Sequence, residues 1–269
     1  MVKYALLLIL TFICVIVFIS SLSDLNYKHL SEINKNKTNF CFAVVGDSRD
    51  NPEVFDKIIN SINRDENVSF TIILGDFVNN GNPVNFLWFI FHSSKFKKPW
   101  LTVVGNHELL FGSKFFYESF FGKSYYAFSS GKSYFIILDV SKEKEGMDSK
   151  QKQWLINELN KSSEFKHRFV FFHIPLHDPR FGNETQGHSL KNREDIEYLL
   201  HAFKMYNVSF IFTSHIHGYF NGSWNGIPYV ITGGGGAPLH GEGNNYFYHW
   251  IKFCIDKEKT YFDVIKIQS

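Results

Sequence analysis

The chain has 269 residues, 44% hydrophobic and 20% charged, enough to bury a sizeable core within one domain of ordinary size. Its net charge is only +2, with Lys and Arg scattered rather than gathered into a stripe, so charge makes no positive case for a nucleic-acid partner. Phenylalanine is abundant at 30 residues, but as a compositional bias it carries no functional weight.

Met1-Val2-Lys3 precedes an apolar run from Tyr4 to Ile19, and no charged residue falls between Lys3 and Asp24. Residues 1–23 are therefore expected to act as an uncleaved signal anchor, a membrane helix holding the catalytic domain outside the cytoplasm. The alternative is a signal peptide cleaved after the small residues of Ser21-Leu22-Ser23, releasing a secreted protein. Residues 24–39 are polar and lack periodicity, so they read as a stalk, and 40–269 read as a single domain.

Strands and helices then alternate. Pro52 opens a helix carrying the period Val54, Ile58, Ile59, Ile62. Val84–Phe91 is apolar on every side and predicts a buried helix. Asp148 with Gln151 resembles a capping box at the start of a helix bearing Trp154, Leu155 and Leu159. Ile196, Leu199, Leu200 and Phe203 repeat the amphipathic pattern. Short strands follow at Tyr219–Trp224, Ile227–Thr232, Tyr246–Ile255 and Thr260–Ile267, with Asn225-Gly226 marking a hairpin. Cys41 and Cys254 lie in strand-like stretches where buried free thiols are expected, a disulfide staying open in an oxidising compartment. Alternating elements followed by antiparallel strands suggest mixed sheets packed face to face with helices outside.

Five apolar runs end in residues that bind metals or phosphate. They close on Gly46-Asp47-Ser48-Arg49, Gly75-Asp76, Gly105-Asn106-His107-Glu108, His173 and Ser214-His215-Ile216-His217. Carboxylate, amide and imidazole donors delivered from several strand ends are what a hydrolytic metal pair requires. A later run, Gly233–Gly236, has no P-loop lysine and is read as close backbone packing beside the site.

These motifs, in this order, resemble the calcineurin-like metallophosphoesterase family, in its purple acid phosphatase-like branch. The resemblance runs from about Phe40 to the C-terminus. It implies a four-layer α/β/β/α sandwich of two mixed β-sheets flanked by helices, and two divalent or trivalent metal ions (Fe, Mn or Zn). It also implies the roles. Asp76 bridges the metals, Asp47 and His217 complete the first set, and Asn106, His173 and His215 hold the second. His107 contacts the phosphate and protonates the leaving oxygen, and Glu108 orients His107. The implied activity is hydrolysis of a phosphoric ester in a small molecule or protein by a metal-bridging hydroxide, with a monoester favoured over a diester.

Two departures bear on that pattern. Arg49 stands where the family often has a ligating histidine, and a guanidinium has no lone pair to offer. Asn79 stands where purple acid phosphatases place a tyrosine, so an iron-tyrosinate colour is not expected. Three outcomes stay open: Asn79 or water fills the vacancy, only the second metal binds tightly, or Arg49 acts as a catalytic residue turned toward a phosphate oxygen. The favoured reading is a dinuclear site with a weaker first metal and Arg49 near the phosphate. A phosphate-binding protein without turnover is the competing reading. His177, Arg180 and His188, in the loop after the fourth motif, are candidate substrate contacts.

Overall fold

The computed structural model describes residues 22–111, 114–182, 185–257 and 259–268. The expected membrane helix and its cleavage site fall almost wholly outside the described residues. Among those described, no helix is long and apolar enough to cross a membrane.

The described chain begins with a departure from expectation. The segment read as a stalk contains helix α1 (Leu25–Glu32), with Leu25, Asn26 and Ile33 buried. The Asn26 side chain accepts from the Thr102 backbone N–H at 2.8 Å and donates to the Thr102 hydroxyl at 3.0 Å. Two or three well-placed buried groups thus dock a helix whose sequence shows no apolar period.

Strands β1 (Phe40–Val45), β2 (Val68–Ile73) and β3 (Trp100–Thr102) run parallel, alternating with helices α2 (Pro52–Arg64) and α3 (Pro83–Ser93). Helix α4 (Lys114–Phe121) and the hairpin β4 (Tyr126–Ser130) and β5 (Ser133–Ile137) follow. Next come α5 (Ser149–Lys161), β6 (His167–Phe171), α6 (Arg193–Met205) and β7 (Phe210–Thr213). The remaining strands are β8 (Tyr219–Trp224), β9 (Ile227–Thr232), β10 (His249–Asp256) and β11 (Lys259–Lys266). They form two mixed sheets, ordered β11-β10-β1-β2-β3 and β4-β5-β6-β7-β9-β8. Asn225 and Gly226 both take positive φ, 51° and 81°, as the two-residue hairpin between β8 and β9 requires.

Three apolar cores separate four layers, as expected. Helices α1 to α4 cover the outer face of the five-stranded sheet through Leu25, Val54, Phe55, Phe86, Phe89, Tyr117 and Phe121. Helices α5 and α6 cover the six-stranded sheet through Leu155, Leu159, Leu199 and Phe203. Between the sheets, Phe42 is packed within 6.0 Å, centroid to centroid, of the rings of Phe70, Phe135, Phe169, Phe171, Phe212 and Phe253. Part of the phenylalanine bias is therefore the filling of this inner layer.

Helix starts follow local chemistry. Asn51, Asn82, Asp148 and Asn192 each accept, through a side-chain oxygen, the backbone N–H three residues on, and Pro52 and Pro83 occupy the first turns. The capping box at Asp148 is only half formed, because Gln151 turns inward and pairs with the backbone of Asp139. Helix α3 also differs from expectation. Phe86 and Phe89 are buried, but Val84, Leu87, Trp88 and Phe91 remain exposed. Cys41 and Cys254, expected as free thiols, form a disulfide. They sit directly opposite each other in the antiparallel register of β1 and β10, a pairing that becomes visible only when the strands are placed.

Candidate metal centre

The ligand-bearing loops converge at one end of the sheets because β1, β2, β3, β6 and β7 all present their C-terminal ends there. Asp47, Asp76 and His215 have φ of 55°, 50° and 68°, a left-handed conformation costly for a side chain bearing Cβ. The strain is held in place by neighbours. Asp47 N–H donates to Gly75 O at 3.1 Å, and Arg49 N–H donates to Asp76 O at 3.2 Å. Strand geometry does not continue from β7 through the two histidines. His215 turns left-handed instead, so the loop rather than the pleat aims them.

One donor set is compact. His173 Nε2 lies 3.3 Å from Asp76 Oδ1, 3.1 Å from Asn106 Oδ1 and 3.1 Å from His215 Nδ1. Asp76, His173 and His215 group within metal-binding reach. His173 Nδ1 donates to Leu74 O at 2.7 Å, and a carbonyl can only accept, so Nε2 is the nitrogen left for ligation. Burial pulls the His173 pKa down, but the Asp76 charge and hydrogen bond outweigh it and hold it at about 9. Burial likewise raises Asp76, yet His173 beside it keeps its carboxyl below the usual range. The buried Asp76 carboxylate beside His173 supplies negative charge that favours a cation at this position.

The second set is sparser. Asp47 is fully buried, and its Oδ2 accepts from the Ser214 hydroxyl and from the His215 N–H at 2.8 Å. Its Oδ1 has no hydrogen-bond partner and lies 3.5 Å from His217 Nε2. His217 Nδ1 donates to Pro238 O at 2.7 Å, which turns Nε2 inward. A buried carboxylate oxygen without a hydrogen bond, facing an imidazole nitrogen, fits a bound cation. Both donor sets therefore suit the metals implied by the sequence. Gly233 lets them meet, since a Cβ there would stand 2.2 Å from Ile216 O and 2.8 Å from Asp47 Oδ2. Close packing beside the site is thus the role of the glycine run.

His107 N–H donates to Asp76 Oδ1 at 3.0 Å, and its ring places Nε2 3.7 Å from Asp76 Oδ2. The expected partner of its other nitrogen is not the one observed. His107 Nδ1 donates to Asn79 O at 2.8 Å, while Glu108 accepts the backbone N–H groups of Gly105, Asp76, Phe77 and Val78 at 2.7 to 3.2 Å. Glu108 therefore positions the loop that carries Asp76, not the imidazole of His107. Burial first, and then the Asp76 charge, push the Glu108 carboxyl up to about 8 against the pull of those donors.

Arg49 pairs with Asp50 and approaches Asn79 Oδ1 at 3.4 Å, and its Nε is buried without a partner. It lines the same cleft of about 310 Å³ as Asp76, Asn106, His107, His215 and His217. Arg180 and His188 also line it; His177 does not, and lies instead near the Trp224 ring. Sequence reasoning missed Glu143 and His240 on the cleft wall. Glu143 Oε1 stands 3.1 Å from His215 Nε2, which leaves Nδ1 for the metal set. No short motif marks it, and only the fold brings residues 143 and 215 together.

Side chains from five strand ends close on one compact and one sparser donor set at the edge of an α/β sandwich, the make-up of a metal-dependent hydrolase. The chain belongs to the calcineurin-like phosphoesterase family, whose model matches residues 40–219. Its donor residues stand at the strand ends of this metallophosphoesterase fold. No curated protein matches it in sequence. Among solved structures it resembles the purple acid phosphatase PPD1 from yellow lupin (Lupinus luteus) seeds at 16% identity and a TM-score of 0.69, over 87% of this chain and 52% of that one. It thus spans about half the length of the lupin enzyme. It also resembles GAP50, the anchor in the inner membrane complex of Plasmodium, at 14% identity and a TM-score of 0.60, over 87% and 90% of the two chains. At these identities the likeness concerns the fold.

Proposed function

We propose that the chain is a phosphomonoesterase acting outside the cytoplasm on a small phosphorylated molecule or a phosphoprotein, with Fe, Mn or Zn in two unequal sites. The observation that carries this reading is the convergence of Asp76, Asn106, His215, His217, His107 and Arg49 on one cleft. Asp76, Asn106, His173 and His215 would hold the tighter metal, and Asp47 and His217, with Asp76 shared, the weaker one. Metal ions bound there supply Lewis acidity and an activated water for in-line attack at phosphorus.

The remaining steps belong to side chains. His107, with Nδ1 committed to Asn79 O, directs Nε2 into the cleft to hydrogen-bond the phosphate and hand a proton to the leaving oxygen. Arg49 brings guanidinium donors beside a phosphate oxygen, and Arg180, His188 and His240 add cationic or polar groups around it. A fixed extra positive charge suits a dianionic monoester better than a monoanionic diester. Export is supported by the apolar run from Tyr4 to Ile19 and by the Cys41–Cys254 disulfide, a bond that persists in oxidising compartments.

The test is hydrolysis of p-nitrophenyl phosphate and bis-p-nitrophenyl phosphate with Mn, Zn or Fe, with bound metal measured alongside. The monoester is expected to turn over faster, with activity lost on chelation and reduced on the order of 100-fold or more in Asp76→Asn and His107→Ala. Preference for the diester would remove the monoesterase reading. One metal per chain at saturation would remove the two-site reading. Cys41 and Cys254 found alkylatable in protein isolated without reductant would remove the export reading.

A further inference from the structure

Helix α3 contains no Asp, Glu, Lys or Arg, yet it lies on the outside of the molecule. Its inward face is Phe86, Phe89 and Ser93, packed on the five-stranded sheet and on α4. On the opposite face, at the i, i+3, i+4, i+7 spacing, Val84, Leu87, Trp88 and Phe91 are exposed, Val84 by 73% and Phe91 by 67%. Helix α4 belongs to the same outer layer, with Tyr117 and Phe121 buried and Phe115 and Phe116 exposed, Phe115 by 73%. Two adjacent helices thus turn apolar and aromatic side chains to the outside. A face of this kind on a folded domain marks a surface that something covers.

The chain itself indicates the occupant. The uncharged apolar run ends at Ile19, only five residues before Asp24 in the sequence. Asp24 in turn abuts Gly122 at the C-terminal end of α4, since a Cβ on Gly122 would stand 3.3 Å from Asp24 Oδ1. A segment of membrane-anchor composition therefore precedes, by five residues, a position that packs against the end of α4. We infer that Val84, Leu87, Trp88 and Phe91 of α3, with Phe115 and Phe116 of α4, dock the domain flat against a lipid bilayer, as interfacial helices do. Trp88 also lines a hollow shared with Arg49, so docking brings the catalytic cleft close to the bilayer surface. The inference goes beyond the phosphatase reading and does not depend on turnover.

The full chain is reconstituted into phosphatidylcholine vesicles whose acyl chains carry bromine near the headgroup, and tryptophan fluorescence is compared with that in unbrominated vesicles. Trp100, Trp224 and Trp250 are buried and Trp154 is half-buried against the other sheet's core, so the difference between wild type and Trp88→Phe is taken to isolate the exposed Trp88. Burial at the 5–10 Å depth of interfacial helices predicts loss of roughly half of the Trp88 signal. Phe91→Glu is expected to abolish that loss while leaving p-nitrophenyl phosphate hydrolysis in detergent unchanged. Flotation of the chain with vesicles reports attachment separately. A chain that floats with Trp88 unquenched overturns the inference, as does a chain that does not float. Trp88 left unquenched, with a detergent-resistant dimer that Phe91→Glu dissolves, would assign the face to a second copy and overturn it too.

Discussion

At the scale of single residues, the site works through hydrogen bonds that leave one nitrogen of each imidazole for a cation. Leu74 O fixes His173, Pro238 O fixes His217, and Glu143 fixes His215. Replacing Glu143 by Ala should weaken metal binding about 10- to 100-fold, the usual effect of losing such a partner. Glu143→Gln, which still offers an oxygen to His215 Nε2, should recover most of it; metal titration followed by calorimetry reads both. Glu108 is a second such point. Four backbone N–H groups donate to its carboxyl group, so Glu108→Ala leaves buried donors without an acceptor. The expected loss is about 2–3 kcal/mol in denaturant unfolding, with the Asp76 loop loosened and bound metal reduced. Asp47, Asp76, Asn106, His173, His215 and His217 were legible as donors because each follows an apolar run. Glu143 and His240 were not, because neither belongs to a motif and their role depends on what lies across the cleft.

At the scale of elements, apolar period and capping residues located α2, α5 and α6 well, since those helices bury one stripe on a sheet. Helix α3 was identified as a helix but assigned the wrong surroundings. Uniform apolarity says that both faces avoid water without saying whether protein or lipid covers the second. The segment before β1 was misread for the opposite reason: α1 docks through Leu25, Asn26 and Ile33, too few contacts to leave a period. The pairing of Cys41 with Cys254 joins the first strand to the next-to-last across a separation of 213 residues. Loop-closure entropy assigns such a link up to about 5 kcal/mol. The double variant Cys41→Ser, Cys254→Ser should therefore unfold at distinctly lower denaturant, and added reductant should shift the wild type alone. Equal unfolding midpoints with and without reductant would show that the bond contributes nothing.

At the scale of the whole molecule, a buried neutral histidine ties the last strands to the site-bearing sheet. His249 donates from Nδ1 to Phe247 O at 2.9 Å and accepts from the Thr232 hydroxyl at 3.0 Å. Burial lowers its pKa to about 4 from the ordinary 6.5. The unfolded chain therefore takes up this proton first as pH falls. Stability from His249 is complete above about pH 6.5 and declines progressively toward pH 4, a loss on the order of 3 kcal/mol. A His249→Asn variant keeps a donor for Phe247 O and does not titrate. Its thermal midpoint should fall less between pH 7 and pH 4.5 than that of the wild type, and parallel curves would exclude the assignment.

The order of donor residues, each at the end of an apolar strand, was enough by itself to determine the family and the layered architecture and to nominate the donors. Those features are local, because strand period and the residue that follows it lie within a few positions of each other. Which nitrogen faces the cation, which carboxylate supports a loop and which supports an imidazole, whether two cysteines meet, and which side of α3 is left uncovered were decided only by tertiary structure. Each is a relation between residues tens to hundreds of positions apart, set by sheet register and layer packing, and no short-range pattern records it.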